Sequence, residues 1–282
     1  MLASAPVTAP LALEPLEPLR DDLTSAAVLC DLDGSLAQIA ARPEEVELPE
    51  EARRLVRRLT ERGALVAFIS GRSVHDLLRI VDVPELAYAG NHGMEIRRPG
   101  SDPAPLPEAA AYVPAISAFA DEWAQRLEEH GVWVEDKAVT LSLHFRGAAD
   151  PAAAERYLGD VVAPAARETG LVPTRGRKIL EIRPPAQIDK GSAVRALLEG
   201  AAVRTAVSLG DDHTDVDAWR ELRALRDEGR LATAVTVGVL GPEVPEEIRG
   251  GADVLVDGPE GAVEVLRFLV GEGRQEAGRA TH

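Results

Sequence analysis

Short apolar segments alternate with segments of helical periodicity, and this alternation constrains the fold more than any other feature. The strand-like segments are AAVLC, ALVAFIS and ELAYAGNHG, and the helix-like ones between them are LPEEARRLVRRLTERG and SVHDLLRIV. Continuous apolar runs of this length are typical of strands buried on both faces. Strand–helix–strand repetition therefore predicts an α/β fold with a Rossmann-like parallel sheet and helices on both faces.

The alternation stops at the Pro- and Gly-rich segment RRPGSDPAPLPEA and resumes at DKGSAVRALLEG. Helix-like and strand-like segments between these points follow a different order, which indicates an inserted α+β domain. We expect a hydrolase-like core formed by residues 24–98 and 188–275, with residues 99–187 as a cap domain. The proline-rich residues 1–23 are expected to form a flexible leader, and residues 276–282 a frayed tail.

Composition limits the partners and the location. A formal net charge of −16 disfavours nucleic acid and anionic membranes as general partners, because like charges repel. No apolar stretch of the sequence reaches transmembrane length, and the N-terminus lacks the basic and apolar regions of a signal peptide. The single cysteine, Cys30, excludes an intrachain disulfide and fits a reducing cytoplasm. We expect a cytoplasmic protein with a small-molecule ligand; the sequence gives no indication of its oligomeric state.

Polar side chains follow four of the predicted core strands. They are Asp31 and Asp33 after the first strand, Ser70 after the second, Asn91 and His92 after the third, and Asp211, Asp212 and Asp215 after VSLG. Lys190 lies near the start of the helix that follows the insertion. Ligands of open parallel sheets bind at the carboxyl ends of the strands, so these groups are expected in one site.

Asp31 and Asp33 have the i, i+2 spacing that directs two side chains of an extended segment to the same side. Carboxylates sharing a pocket raise each other's pKa unless a cation lies between them. With Asp211 added, an oxygen-preferring cation is expected. Mg²⁺ fits because it takes one or two carboxylates, keeps waters and accepts substrate phosphate oxygens.

Each of these segments taken singly also fits a structural role. DLDG is also typical of an Asp-Gly turn, SGRSVHD of a helix cap and GNHG of a tight turn. GDDHTDVDAW also fits an acidic loop that caps a helix, and Lys190 a solvated surface lysine. Their agreement in residue type, chain order and strand-end position favours a common site.

Four motifs, DLDGSL, ISGR, DKG and GDDHTD, together resemble those of the haloacid dehalogenase superfamily of phosphohydrolases. The insertion lies between the second and third motifs, where one class of that superfamily has its α/β cap. The segments YAGNHGMEI, VEDKAVTLSLHFR and RKILEIRP add a narrower resemblance to the trehalose-6-phosphate phosphatase family, covering residues 26 to about 270. Two positions depart from the family pattern, with Ser35 in place of the usual Thr and Val216 in place of an expected Glu.

The resemblance implies a Mg²⁺-dependent phosphatase that acts on trehalose 6-phosphate. Asp31 would attack phosphorus and form an aspartyl-phosphate, and Asp33 would act as general acid and base. That role requires Asp33 to hold a proton near neutral pH, which we expect crowding by other carboxylates to favour.

The remaining implied roles concern the metal and the phosphate. Mg²⁺ would be held by the Asp31 carboxylate, the Asp33 backbone carbonyl and the Asp211 carboxylate. The phosphate would be bound by Ser35, Ser70 and Lys190, and the layer around the metal ligands would be formed by Asp212, Asp215 and Asn91.

Cap residues would select the sugar. The resemblance points to Glu135, Lys137 and Glu181, with His144 and Arg146 as further candidates; ordinary surface charge is the alternative interpretation for all of them. The three tryptophans, Trp123, Trp133 and Trp219, are expected in hydrophobic cores.

Two other functions fit the same motifs. One is a phosphatase for another sugar phosphate, such as sucrose phosphate or a glycosyl phosphoglycerate. The other is a catalytically silent domain that binds a sugar phosphate for regulation.

Overall fold

Two separate sheets organise the part of the chain that the computed structural model describes, residues 12–40, 42–176, 178–242 and 244–272. The strands are β1 (Ala26–Cys30), β2 (Leu65–Ile69), β3 (Ala87–Gly90), β4 (Glu95–Arg97), β5 (Ala104–Pro105), β6 (Trp133–Asp136), β7 (Leu141–His144), β8 (Val172–Gly176), β9 (Ile179–Arg183), β10 (Thr205–Gly210), β11 (Thr233–Leu240) and β12 (Val254–Asp257). The helices are α1 (Glu17–Asp21), α2 (Glu50–Glu61), α3 (Val74–Val81), α4 (Pro107–Ala110), α5 (Val113–Glu129), α6 (Pro151–Tyr157), α7 (Ala163–Glu168), α8 (Lys190–Leu198), α9 (His213–Asp227), α10 (Glu246–Gly251) and α11 (Gly258–Val270).

The larger sheet has the strand order β12-β11-β10-β1-β2-β3-β4-β5. The pairs from β12 to β3 are parallel, and β4 and β5 extend the sheet antiparallel. All five residues of the central strand β1 are buried, since helices cover both of its faces. This confirms the predicted α/β class with a parallel-dominated sheet.

Apolar helix faces build a separate core on each side of this sheet. On one side α2, α3 and α11 pack on alternate strand residues such as Val28 and Phe68. On the other, α8 and α9 pack on the intervening residues such as Leu29 and Ala67. The period-2 alternation of strand side chains thus serves two cores at once. In the described ranges no helix combines the length and apolar composition needed to cross a bilayer.

Residues 12–23 differ from the predicted flexible leader. They contain a 3₁₀ turn and the helix α1, and Leu16, Leu19 and Leu23 are buried in the core beside α11. Burying a leucine side chain contributes about 1.5–3 kcal/mol, which offsets the low helix propensity of the prolines. The proline content was thus a misleading signal for this part, whereas residues 1–11 and the predicted tail 276–282 lie outside the described residues.

The smaller sheet is antiparallel, with the order β6-β7-β9-β8. One of its faces packs against α5, α6 and α7, where Phe119, Leu143, Val162 and Leu180 share a core. A π-helical turn, Leu158–Val162, joins α6 to α7. The separate antiparallel sheet with helices on one face is the architecture expected of the inserted cap.

The joint between the sheets begins later than predicted. β5 pairs with β4 through Glu95↔Pro105 and Ile96↔Ala104, so residues just beyond 98 still belong to the edge of the larger sheet. A small core of Met94, Ala109, Val139 and Ile188 lies where the chain passes between the two sheets. We propose that the cap is confined to residues between this edge strand and α8.

Candidate active site

The carboxyl ends of four neighbouring strands, β10, β1, β2 and β3, carry the predicted polar groups. Asp31 directly follows β1, Ser70 follows β2, Asn91 follows β3 and Asp211 follows β10. Because these strands are parallel and adjacent, the four residues follow the same edge of the sheet.

Lys190 lies at the centre of this edge. Its Nζ donates to Asp31 Oδ1 at 2.8 Å and to Asp215 Oδ1 at 2.6 Å, and its side chain is only 3% exposed. Lys190 is fixed at the first position of α8 because Asp189 caps that helix by accepting from Ser192 N. Burial opposes the charged form, but the two carboxylates hold the pKa of Lys190 above its usual value.

Three carboxylates lie close together here, two of them bonded to Lys190. Oxygens of Asp31, Asp211 and Asp215 lie within 4.8 Å of one another. Burial and the neighbouring carboxylates raise the pKa of Asp31 well above its ordinary value, although Lys190 opposes the shift. Burial and the charge of Asp215 raise the pKa of Asp211 to about 6. The group thus carries an excess of negative charge when all of its carboxylates are ionised, which a divalent cation would balance.

The loop after β1 is shaped to receive Asp211. Gly34 has φ +88°, and a Cβ at this position would lie 2.2 Å from Asp211 Oδ2. A larger residue would therefore displace the carboxylate as well as strain the backbone. Ser35, predicted to contact phosphate, is buried and donates its hydroxyl to Asp211 Oδ1 at 2.9 Å.

The three carboxylates differ in how many of their oxygens already accept hydrogen bonds and so in how many could coordinate a metal. Asp215 Oδ1 accepts from Lys190, and its Oδ2 accepts from the backbone N–H groups of Asp211 and Asp212. Within the described residues, hydrogen bonds to Asp31 and to Asp211 involve Oδ1 alone. An all-oxygen set with two such carboxylates fits Mg²⁺, with Asp215 as the residue that positions the loop.

Asp212 lies at the edge of this arrangement. Its side chain is 53% exposed and caps α9, where it contacts His213. The sequence predicted Asp212 or Asp215 to orient the waters of a metal; the buried Asp215 is the one held within the acidic group.

Asp33 has a different environment from the one predicted. Arg72 Nε donates to Asp33 Oδ2 and Arg72 Nη2 to Asp33 Oδ1, both at 2.7 Å. The acidic group consists of Asp31, Asp211 and Asp215, and Asp33 is not part of it. The expected crowding of Asp33 by carboxylates is therefore wrong, because its close neighbour is a guanidinium.

Arg72 is the last residue of the motif ISGR, so its place beside the site could have been predicted from that motif. Ser70 directly follows β2 and is 2% exposed, and its Oγ accepts from Arg72 N at 3.2 Å. This turn directs the guanidinium toward the loop after β1. Sequence reasoning used the motif for Ser70 alone and missed the arginine.

Asn91, predicted to lie in the layer around the metal ligands, forms hydrogen bonds with residues of the cap hairpin. Its backbone has φ +52°, and its side chain accepts from Thr140 Oγ1 at 3.2 Å and donates to Glu95 Oε2 and Lys137 O at 3.4 Å. These partners connect the core to the β6–β7 hairpin of the cap. Asn91 is therefore placed to hold the cap hairpin against the core.

One face of the cap sheet is polar. The register pairs Glu135 with Ser142 and Ser142 with Glu181, so these side chains share a face. Lys137 Nζ lies 3.8 Å from Glu135 Oε2 and 3.9 Å from Glu181 Oε1, and it donates to Gly71 O of the core at 3.5 Å. The three predicted sugar ligands are thus brought together beside the core.

His144 extends this polar face. Its Nε2 lies 2.9 Å from Glu135 Oε2. Burial opposes ionisation of Glu135, but His144 and Lys137 hold the pKa of that carboxyl below its usual value. Trp133 pairs with His144 across the hairpin and is 60% exposed, so the prediction that it lies in a core is wrong. Its i, i+2 spacing from Glu135 could have indicated that the two side chains share the polar face of the strand.

A cavity of about 340 Å³ lies between the cap sheet and the core. Its lining includes Glu181 and Arg183 from the cap and His92, Lys190 and His213 from the core. Burial and nearby cations lower the pKa of His92 to about 3, so its imidazole is uncharged at neutral pH. The cavity therefore joins the cap carboxylate to the buried ammonium, which suits a ligand with hydroxyls at one end and a negative group at the other.

Comparison with protein families gives a match over most of the chain. The family model described as trehalose-phosphatase matches residues 29–241. A trehalose 6-phosphate phosphatase of Zea mays is 34% identical over 283 aligned residues, covering 92% of this chain and 74% of the relative. A trehalose-phosphate phosphatase of Mycobacterium avium is 34% identical over 203 residues, covering 70% of this chain but 51% of the relative. The match thus spans about half the length of the mycobacterial protein.

Solved structures agree on the fold. The C-terminal domain of a C. albicans trehalose-6-phosphate phosphatase has a TM-score of 0.71 at 22% identity, covering 96% of this chain and all of that one. A haloacid dehalogenase-like hydrolase from Bacteroides thetaiotaomicron has a TM-score of 0.59 at 15% identity, covering 86% and 99%. At these identities the similarity shows a shared fold.

Proposed function

The chain belongs to the trehalose-phosphatase family, and on that premise we propose that it hydrolyses trehalose 6-phosphate to trehalose and phosphate with the help of Mg²⁺. The observation that carries the proposal is the buried Asp31 at the end of the central strand, held by Lys190 at 2.8 Å beside Asp211. Such a carboxylate is positioned like an enzymatic nucleophile, because its orientation is fixed before substrate binds.

Asp31 is proposed to attack phosphorus and to form an aspartyl-phosphate. Lys190 holds Oδ1, and Oδ2 would be the attacking oxygen. The same ammonium, with the Ser70 hydroxyl at the neighbouring strand end, would bind the phosphoryl oxygens and offset their charge.

Mg²⁺ would be held by carboxylate oxygens of Asp31 and Asp211 together with the backbone carbonyl of Asp33. When bound, it would neutralise charge on the phosphoryl group and lower the repulsion among the buried carboxylates. Asp215 would keep the Asp211 loop in place through its hydrogen bonds to the backbone.

Asp33 is proposed to protonate the leaving sugar oxygen and then to accept a proton from the attacking water. In this structure both of its oxygens accept from Arg72. The proposed role requires one of these two bonds to open when substrate binds, while the other continues to hold Asp33 in place.

The cap is proposed to choose the sugar. Glu135, Lys137 and Glu181 offer two acceptors and one donor on a single face, spaced more widely than hydrogen bonds allow. Sugar hydroxyls can insert between such groups and form hydrogen bonds with them.

The buried Cys30 supports a reducing, cytoplasmic location.

Phosphate release with Mg²⁺ from trehalose 6-phosphate, glucose 6-phosphate, sucrose 6-phosphate and a glycosyl phosphoglycerate tests this function. We expect trehalose 6-phosphate to have the highest kcat/KM, and Asp31→Asn to abolish turnover while the protein stays folded. Preference for another member of the panel would reassign the substrate. A folded wild-type protein that binds trehalose 6-phosphate without releasing phosphate would indicate a regulatory binding domain.

A further inference from the structure

One large aromatic side chain is exposed on the polar face of the cap sheet. Trp133 is 60% exposed, whereas Trp123 is 6% and Trp219 is 0% exposed. A single exposed apolar residue is common on protein surfaces and carries no meaning alone. The neighbours of Trp133 are what make its exposure informative.

Hydrogen-bonding groups border the indole on its own face of the sheet. Its ring centroid lies 4.6 Å from that of His144, with an angle of 33° between the planes. His144 in turn contacts Glu135, and Glu135 lies beside Lys137. A flat apolar surface next to a carboxylate and an imidazole is the combination that a pyranose ring requires, since its C–H face is apolar and its rim carries hydroxyls.

We propose that Trp133 stacks against the sugar ring farther from the phosphate, an inference that rests on the proposed function. Lys137 contacts Gly71 O at the edge of the core, next to Ser70. Trp133 precedes Lys137 by four residues, a distance of about 13 Å along an extended strand. A ring joined directly to the phosphate would occupy the space near Lys137, which leaves Trp133 for the second ring of a disaccharide.

This contact contributes to binding and not to chemistry. The indole lies outside the acidic group and makes no contact with Asp31 among the described interactions. Removing a contact made equally in the ground state and the transition state raises KM and leaves kcat unchanged. A substrate without the second ring should not respond to the change.

Steady-state kinetics of Trp133→Ala and Trp133→Phe test the inference. We expect Trp133→Ala to raise KM for trehalose 6-phosphate about tenfold, the equivalent of about 1.4 kcal/mol, with kcat and the KM for glucose 6-phosphate unchanged. Trp133→Phe keeps an aromatic face and should restore most of the affinity. The matched control is Val161→Ala, which truncates an exposed apolar side chain (43% exposed) on the helix layer of the cap.

An unchanged KM for trehalose 6-phosphate in Trp133→Ala would overturn the inference. Equal KM increases for both substrates would overturn it as well, because the loss would then concern the cap as a whole.

Tryptophan fluorescence during titration with trehalose gives a readout that does not depend on turnover. Trp133 is the exposed one of the three tryptophans, so trehalose should change the emission of the wild type and not that of Trp133→Phe. Absence of phosphate release from trehalose 6-phosphate would refute the proposed function, while a lack of fluorescence response to trehalose would refute the stacking role. The two failures are thus distinguishable.

Discussion

The catalytic edge of the core and the polar face of the cap each contain a lysine between two carboxylates, yet the two arrangements differ in geometry. Lys190 Nζ lies 2.8 and 2.6 Å from its carboxylate oxygens, whereas Lys137 Nζ lies 3.8 and 3.9 Å from those of the cap. The Lys190 side chain is 3% exposed and that of Lys137 is 10% exposed.

We propose that this difference separates the residues of the chemical step from those that recognise the sugar. Around Lys190, charged hydrogen bonds at short distance fix each group, and any displacement would leave a buried charge unpaired. Around Lys137, the longer separations leave room for ligand hydroxyls. The core is thus organised before substrate binds, whereas the cap can adjust to it.

The same substitution in both places gives the largest expected contrast. Lys190→Met should destabilise the protein by about 3–5 kcal/mol and abolish phosphate release, because it leaves buried carboxylates without their cation. Lys137→Met should cost about 1 kcal/mol or less and mainly raise KM for trehalose 6-phosphate. Denaturant unfolding and steady-state kinetics of both variants check this; similar losses of stability would contradict the contrast.

Arg72→Gln tests whether turnover depends on the guanidinium that positions Asp33. We expect kcat to fall about 100-fold because Asp33 loses the guanidinium that holds it, while KM changes little. Arg79→Gln is the matched control, since Arg79 forms a half-exposed ion pair with Asp76 one turn along α3. The pH profile of kcat should also change in Arg72→Gln, which a merely structural role would not produce.

The contribution of Asp211 to the stability of the metal-free protein should fall as pH rises through the acidic range. The pKa of Asp211 is about 6 in the folded state against an ordinary value of 3.8. Between these values the folded protein keeps a proton that the unfolded chain has lost, so raising the pH favours unfolding, by up to about 2–3 kcal/mol, and the effect levels off above pH 6.

Mg²⁺ competes with that proton. The increase in melting temperature on adding Mg²⁺ should therefore be larger at pH 7.5 than at pH 5, and Asp211→Asn should remove most of it. A stabilisation by Mg²⁺ that is independent of pH and retained in Asp211→Asn would show that the metal binds elsewhere.

The smallest effect is expected at the joint between cap and core. Thr140→Val removes the hydrogen bond from Thr140 Oγ1 to Asn91, a loss of about 0.5–1.5 kcal/mol. Because this bond connects the β6–β7 hairpin to the strand end, KM should also rise slightly. Thr60→Val, which removes a hydrogen bond within α2, is the control and should leave KM unchanged.

Much of the fold followed from local patterns. The alternation of strand-like and helix-like segments predicted the parallel sheet, and the interruption after residue 98 predicted the insertion, because both depend on the periodicity of apolar residues. The α1 segment was missed, since its prolines are tolerated in the first turn of short helices and its leucines find a distant partner in α11.

The sequence predicted which residues belong to the candidate site better than it predicted the hydrogen bonds between them. The motifs predicted Asp31, Lys190 and Asp211 as members of the site, and these residues lie together in the structure. Their partners could not be predicted, because a side-chain hydrogen bond across 39 or 159 positions depends on the packing of several strands and helices.

The sequence by itself determined which strands carry carboxylates at their ends and which segment is inserted between them, because strand burial and turn residues are local properties. Only the tertiary structure decided that Arg72 pairs with Asp33, that Asn91 fixes the cap and that Trp133 is exposed beside His144. These contacts form between elements that are distant in the sequence. Their energies depend on interatomic distances and burial, which are set by tertiary packing and not by any single segment.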